Sequence, residues 1–356
     1  MYCRSLLAAF LCVVIGSSST WAQAKEKPGA EKPKADRSNR NSAKEPLAAT
    51  LSMAKAKAFL DEVNLQWTRQ RKCGTCHTNY PYLMSRPLFK DDSPAAREVR
   101  AFFEGRAANW DNPKTKPRWD TEVVATAVSL AINDSRTTGK LHALTRKALD
   151  RMWTLQRDDG AWKWLKCNWP PMEHDDYFGA TYAALGVGLA PDDYAHSPAA
   201  KAGIDKLRGY LKKNAAPDLH HRAMLLWASM KLDGLLEARD RDAIIKSLLA
   251  IQREDGGWNL PALGDYKRHQ KDKDAKPIAN DKNAPSDGYG TGFVVYVLRQ
   301  AEVPADHPQI RKGVAWLRSN QRESGRWFTR SPSTDSYHFI SHAGTAFAVM
   351  ALVACE

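Results

Sequence analysis

Cysteine is scarce in this chain. Beyond residue 24 only Cys73, Cys76, Cys167 and Cys355 remain, too few to frame a fold with disulfides. Long apolar runs are missing as well. After the first two dozen residues no stretch is long and apolar enough to cross a bilayer, so no membrane span is expected. Basic segments interleaved with aromatics, the mark of nucleic-acid modules, are also absent. The formal net charge of +13 therefore reads as a basic surface with acidic residues interspersed. An acidic partner or an anionic membrane surface is the alternative reading, and nucleic acid is not an expected partner.

The first residues, MYCRSLLAAFLCVVIGSSSTWAQA, combine a basic start, a short apolar run and Ala22-Gln23-Ala24. That is the layout of a cleaved secretory signal over 1–24, with no lipobox before Cys12. Residues 25–49 are rich in Lys, Glu and Pro and lack an apolar period, so they read as a disordered basic linker. Residues 50–356 are left for one large folded domain. The mature protein is expected in the periplasm or outside the cell.

Three stretches align without gaps: LQRDDGAW (155–162), IQREDGGW (251–258) and NQRESGRW (320–327). Each follows a segment with apolar residues at three- and four-residue spacing, the period of a one-sided helix. The repeat reads as a rigid corner in which Gly ends the helix in a left-handed conformation and Trp packs back over it. A fourth stretch, Gln70-Arg71-Lys72-Cys73-Gly74-Thr75-Cys76, holds the Gln and Gly in register, with Cys76 in the place of the Trp.

Outward from the corners, two kinds of helix alternate. Amphipathic, Lys/Arg-rich segments fall near 52–70, 93–109, 140–156, 197–213, 239–252 and 307–320. Segments apolar on nearly all sides fall near 77–89, 119–132, 175–189, 219–232, 287–300 and 336–353. A helix apolar all round belongs inside and one with a charged face outside. Strict alternation predicts an all-α fold, a single α6/α6 toroid whose inner helices start at one mouth. The polar stretch 259–285 reads as an insertion on that same face.

The corners resemble the QW repeats of squalene-hopene and related terpenoid cyclases, which share an α/α toroid with the protein prenyltransferase β subunits. The resemblance covers most of 50–356, whereas triterpene cyclases have two such domains with the active cavity between them. It implies two sites. Class II cyclases protonate an alkene with the middle Asp of D-x-D-D-T-A. The matching stretch here is Glu173-His174-Asp175-Asp176-Tyr177-Phe178, which implies Asp175 as acid with Glu173 and Asp176 beside it; the first Asp and the Thr-Ala are replaced. Prenyltransferases hold zinc with D-x-C and D-x-Y-H. Here Asp287-Gly288-Tyr289 and Asp335-Ser336-Tyr337-His338 stand in those places, so Tyr289 replaces the thiolate ligand. A plainer role for Asp120, Asp176, Asp218 and Asp287 is helix capping.

If every inner helix starts at one face, that mouth gathers His77, Glu173, His174, Asp175, Asp176, His220, His221, Asp287, Tyr289 and His338, with His342 one turn below. Cys73, Cys76 and His77 form C-x-x-C-H, the attachment motif of covalent haem c, with His77 as axial ligand. His174, His338, His342, Met84 and Met172 are candidates for a second ligand. A Cys73–Cys76 disulfide or redox pair and a zinc site are the alternatives.

Three functions follow. The first is an exported toroid carrying haem c for electron transfer or redox chemistry, with a redox partner or an apolar small molecule at the mouth. The second is an isoprenoid cyclase-like isomerase using Asp175. The third is a non-catalytic ligand-binding toroid. The sequence does not decide whether the protein is an enzyme.

Overall fold

The structure is a computed structural model that describes residues 42–117, 119–167, 169–270, 276–335 and 337–356. The signal segment and most of the linker lie outside these residues.

Twelve α-helices are described. The outer ones are α1 (Met53–Arg71), α3 (Pro94–Ala108), α5 (Ala143–Thr154), α7 (Pro198–Lys213), α9 (Ala238–Ala250) and α11 (Pro308–Ser319). The inner ones are α2 (Asn79–Ser85), α4 (Asp120–Thr137), α6 (Asp176–Leu189), α8 (Leu219–Ser229), α10 (Gly288–Gln300) and α12 (Ile340–Val353). Burial separates the two sets. On α5 only Thr145, Ala148, Leu149 and Met152 are buried, one stripe at helical spacing, whereas α6 is buried without interruption from Tyr177 to Val187. The inner helices neighbour one another in the order α2, α4, α6, α8, α10, α12, and α12 returns to α2, which closes the ring. The fold is the expected all-α toroid.

The corners are built differently from the expectation. The helices end at Thr154, Ala250 and Ser319, several residues before the Gly, so the Gly does not cap the helix. Instead Gly160, Gly256 and Gly325 take φ of +95°, +87° and +95° inside a turn that follows it. The Gly325 backbone lies so close to α1 that an added Cβ would stand 2.3 Å from the Lys55 carbonyl. Trp162, Trp258 and Trp327 are fully buried. Each indole N–H donates at 2.8 Å to a carbonyl in the last turn of the preceding helix: Met152, Leu248 and Leu317. A helix end leaves such last-turn carbonyls without the usual amide four residues on; Met152 also accepts from Leu155 N.

The Gln side chains tie each corner to the next outer helix. Gln156 donates to Gly160 and to Gly203 of α7, and Gln252 to Gly256 and to Gln309 of α11. Gln321 donates to Gly325 and, across the seam of the ring, to the Ser52 carbonyl before α1.

The fourth corner departs from this pattern. Gln70 is exposed and still within α1, which ends in a left-handed Lys72 rather than at a glycine. Asn79 takes over the bracing, accepting from Thr75 N at 2.8 Å and donating to the Cys73 carbonyl at 3.0 Å. Cys76 is buried.

The last residues of the expected linker, which ends at 49, are packed on the toroid: Leu47 bridges Arg322 and Ala48 N donates to the Gln321 carbonyl. Glu45 pairs with Arg326, which is 3% exposed, and its carbonyl accepts from Arg322. The insertion forms a 3₁₀ turn at Leu260–Leu263 and a two-stranded ribbon, β1 (Lys267–Arg268) with β2 (Ile278–Ala279). The ribbon lies on the segment before α12: Arg268 donates to the Ser331 carbonyl and pairs with Asp335, and Asn280 donates to the Pro332 carbonyl.

Candidate functional site

The starts of the inner helices do meet at one mouth. One cleft there is lined by Cys76 and His77 before α2, Met172 and Glu173 before α6, and Ser331 and Ile340 at the approach to α12. At the opposite end, Arg136 of α4 donates to the Met84 carbonyl and to the Tyr296 hydroxyl of α10.

Helix capping fixes the acidic groups. Asp175, Asp218 and Asp287 are the N-caps of α6, α8 and α10, accepting from Phe178 N, His221 N and Gly290 N at 2.8–2.9 Å. For α6 the cap is therefore Asp175, not Asp176. Asp176 instead pairs with Arg157 and Lys166 and accepts from Trp164 N. Asp120 follows the cap position of α4 and accepts from Lys163 N.

Two of these caps share one imidazole. His221 places Nδ1 2.6 Å from Asp218 and Nε2 2.9 Å from Asp175. Burial by itself would depress the His221 pKa, but the two carboxylates more than offset it and hold it up to about 9. Burial conversely pushes Asp175 and Asp218 up, and His221 overcomes this and keeps both below the usual carboxylate range. The three groups form an ionised acid–imidazole–acid bridge across the rim between α6 and α8. Asp287 lies outside it. Burial raises its pKa to about 6, and it accepts from Leu260 N, Gly290 N and the Thr329 hydroxyl.

Several residues expected at the rim lie elsewhere. His220 and Tyr289 point into the bore, where they share a 2.8 Å hydrogen bond and are fully buried. Burial holds the His220 pKa down to about 3, so it is neutral. His338 precedes α12 rather than riding on it, and its Nδ1 accepts from Ser331 N at 3.0 Å. This keeps it at the same end as Cys76. His174 is exposed. Glu173 does not join the bridge; it accepts from the Cys167 thiol at 2.8 Å. Partial burial and that carboxylate push the Cys167 pKa up to about 12. Asp218 as a partner of His221 was not recognised from sequence, although their three-residue separation places them on one helical face.

The C-x-x-C-H segment supplies the donors a covalent haem needs. The described cysteines are free thiols, and His77 is neutral because burial pushes its pKa down to about 3. His77 Nδ1 lies 2.8 Å from the Thr78 hydroxyl, which also reaches His342 Nδ1 at 3.1 Å. Space is what the site lacks. The His77 ring stacks on Phe339 and lies beside Trp169 and Trp67, with ring centres 5.1–5.7 Å away. The cleft beside it has a volume of about 10 Å³, close to one water. A porphyrin does not fit this arrangement. Of the second-ligand candidates, Met84 lines the interior and His342 contacts Thr78. Among the described residues no three His, Cys, Asp or Glu side chains converge as a metal site, so no zinc set forms.

The fold is an all-α toroid, and two comparisons show similarity to squalene-hopene cyclases. Residues 285–356 match the family described as "Squalene-hopene cyclase C-terminal domain". The chain is also 26% identical over 262 residues to a squalene–hopene cyclase from Zymomonas mobilis subsp. mobilis, a match that covers 63% of this chain and 36% of that protein. The chain thus spans about a third of the length of the curated relative it matches. Both matches support the cyclase superfamily.

Proposed function

We propose that the chain is a cyclase-like isomerase that protonates an isoprenoid-type alkene at the mouth, with Asp175 as the acid. The observation that carries this reading is the clamp on His221: an imidazolium 2.9 Å from Asp175, itself fixed by Asp218. A carboxyl beside a buried cation gives up its proton readily, and alkene protonation needs a strong acid. Asp175 transfers its proton to an alkene carbon, leaving a carbocation on the substrate. Return of a proton from a neighbouring carbon to the Asp175 carboxylate completes an isomerisation with no net change in composition and restores the acid. The similarity to a squalene–hopene cyclase supports the choice of substrate class.

The substrate lies at the rim rather than in the bore. Neither the bore cavity, of about 20 Å³, nor the rim cleft, of about 10 Å³, is lined by Asp175 or has room for an isoprenoid, so the substrate lies on the open surface of the rim, where the Asp175 side chain is 24% exposed. The test is incubation of the full chain with squalene and shorter linear isoprenoids in D₂O. A rearranged product carrying deuterium on carbon is expected, lost at least a hundredfold in Asp175→Asn. Undiminished turnover in that variant removes Asp175 as the acid; absence of any product with every alkene removes the reading.

A further inference from the structure

The bore cavity has an unusual lining that alkene chemistry at the rim does not use. Four of its side chains end in or carry sulfur: Cys76, Met84, Met172 and Met224. They come from the starts of α2 and α6 and from α2 and α8, and each is no more than 5% exposed. Methionine ordinarily fills core gaps. Here the four sulfur side chains share the lining of a gap of about 20 Å³ with aromatic rings, and the Met84 sulfur accepts from the Tyr182 hydroxyl at 3.4 Å, a bond that ligation would replace. Cys76 and Met172 also line the rim cleft, so these two side chains lie between mouth and bore.

We propose that this sulfur-lined cavity binds a single soft monovalent cation, Cu(I), through Cys76 and the thioethers of Met84, Met172 and Met224. Thiolate and thioether donors select Cu(I) over hard cations. Charge makes the same selection. Cu(I) displaces one proton from the Cys76 thiol, so ion plus thiolate sum to zero, which an apolar interior tolerates. A divalent ion with the same donors would leave a net positive charge buried among aromatic walls. The volume suits one ion and excludes a larger ligand. The proton released from Cys76 leaves through the rim cleft, which Cys76 shares with Glu173.

The test is titration of the full chain, with thiols reduced, by Cu(I) in competition with a chromophoric Cu(I) chelator. One equivalent is expected to bind, with one proton released and an X-ray absorption shell made only of sulfur. Cys76→Ser is expected to weaken binding at least a hundredfold and the Met84→Leu/Met224→Leu pair at least tenfold. Cys167→Ser and Cys355→Ser should leave it within threefold. Leucine keeps the bulk, and an unchanged melting temperature in the Leu pair shows that lost binding is not lost fold. Full affinity in the Leu pair, or nitrogen and oxygen in the shell, overturns the bore site in favour of a surface Cys73–Cys76 pair. A haem absorbance band on the purified protein means Cys76 is already committed to a thioether, and it overturns the proposal as well. None of these outcomes touches Asp175, so failure here and failure of the isomerase reading are separable.

Discussion

His220 and His221 are neighbours on α8, and their imidazoles have opposite charge states. His221 is clamped between Asp175 and Asp218 on the rim and is held protonated, with a pKa of about 9. His220 turns into the bore, bonds Tyr289 at 2.8 Å and stacks on Phe293, and burial keeps it neutral. One step along a helix rotates a side chain by about 100°, enough to move it from a carboxylate pair to an aromatic wall.

The clamp makes stability depend on pH in a defined direction. The folded-state pKa of His221 lies above its ordinary 6.5, so its contribution is complete below about pH 6.5 and is lost as pH rises through about 9. Urea unfolding from pH 6.5 to 9.5 should show a decline of about 1–3 kcal/mol. In His221→Gln the decline should disappear. An equally steep slope in the variant would place the proton elsewhere.

Asp175 and Asp218 act on one imidazole, so removing the charge of either should lower the pKa of His221. In Asp218→Asn the His221 ring signals, followed by NMR, should titrate at least about one unit lower than in the parent protein. An unmoved titration would mean that Asp175 alone holds the proton.

Activity at the rim should favour acid. Asp175 lies below the usual carboxylate range, so at neutral pH few molecules carry the reactive proton. Above that pKa the rate of deuterium incorporation should fall about tenfold per pH unit. A rate independent of pH between 5 and 7 contradicts a carboxyl acid.

Glu45 should matter more than its place in a Lys- and Pro-rich stretch suggests. It is the carboxylate partner of Arg326, which is almost wholly buried. Glu45→Ala removes that counter-charge and should cost about 3–5 kcal/mol in chemical denaturation. A cost below about 0.5 kcal/mol would mean the pair is screened like a surface ion pair.

Gly325→Ala should be more damaging than Gly105→Ala. The first demands φ of +95° from a residue with a Cβ and drives that Cβ against the Lys55 backbone, while the second meets open space within α3. A loss of more than about 2 kcal/mol is expected at 325, and none or a small gain at 105. Equal melting temperatures would show that the corner backbone relaxes.

Much of the toroid was legible because its signals are periodic. The α6 and α5 segments differ in how many sides are apolar, and that difference alone sorts inner from outer. The corners were legible as repeats but not in detail: nothing in Q-x-x-x-G-x-W says that the Gly stands beyond the helix end or that the indole closes onto Met152. At the site, the rim position of Asp175 followed from its place at a helix start. The orientations of His220 and Tyr289 did not, because facing depends on a helix's rotation within the ring. His338 was misplaced on α12 because the segment before Ile340 is tied down by Ser331 rather than wound into the helix. The packing of Glu45 was hidden by composition, since one buried ion pair outweighs a polar neighbourhood.

The bond from Gln321 to Ser52 joins residues 269 positions apart. An open solenoid can grow from any stack of neighbours and needs special end units to shield its last faces. A hoop has no such ends, and the contact that completes it is among the most distant in the chain. The loop-entropy cost of closing that gap grows only slowly with its length, but so distant a contact slows assembly. Until the corner after the eleventh helix reaches the start of the first, both edges of the seam stand open to water.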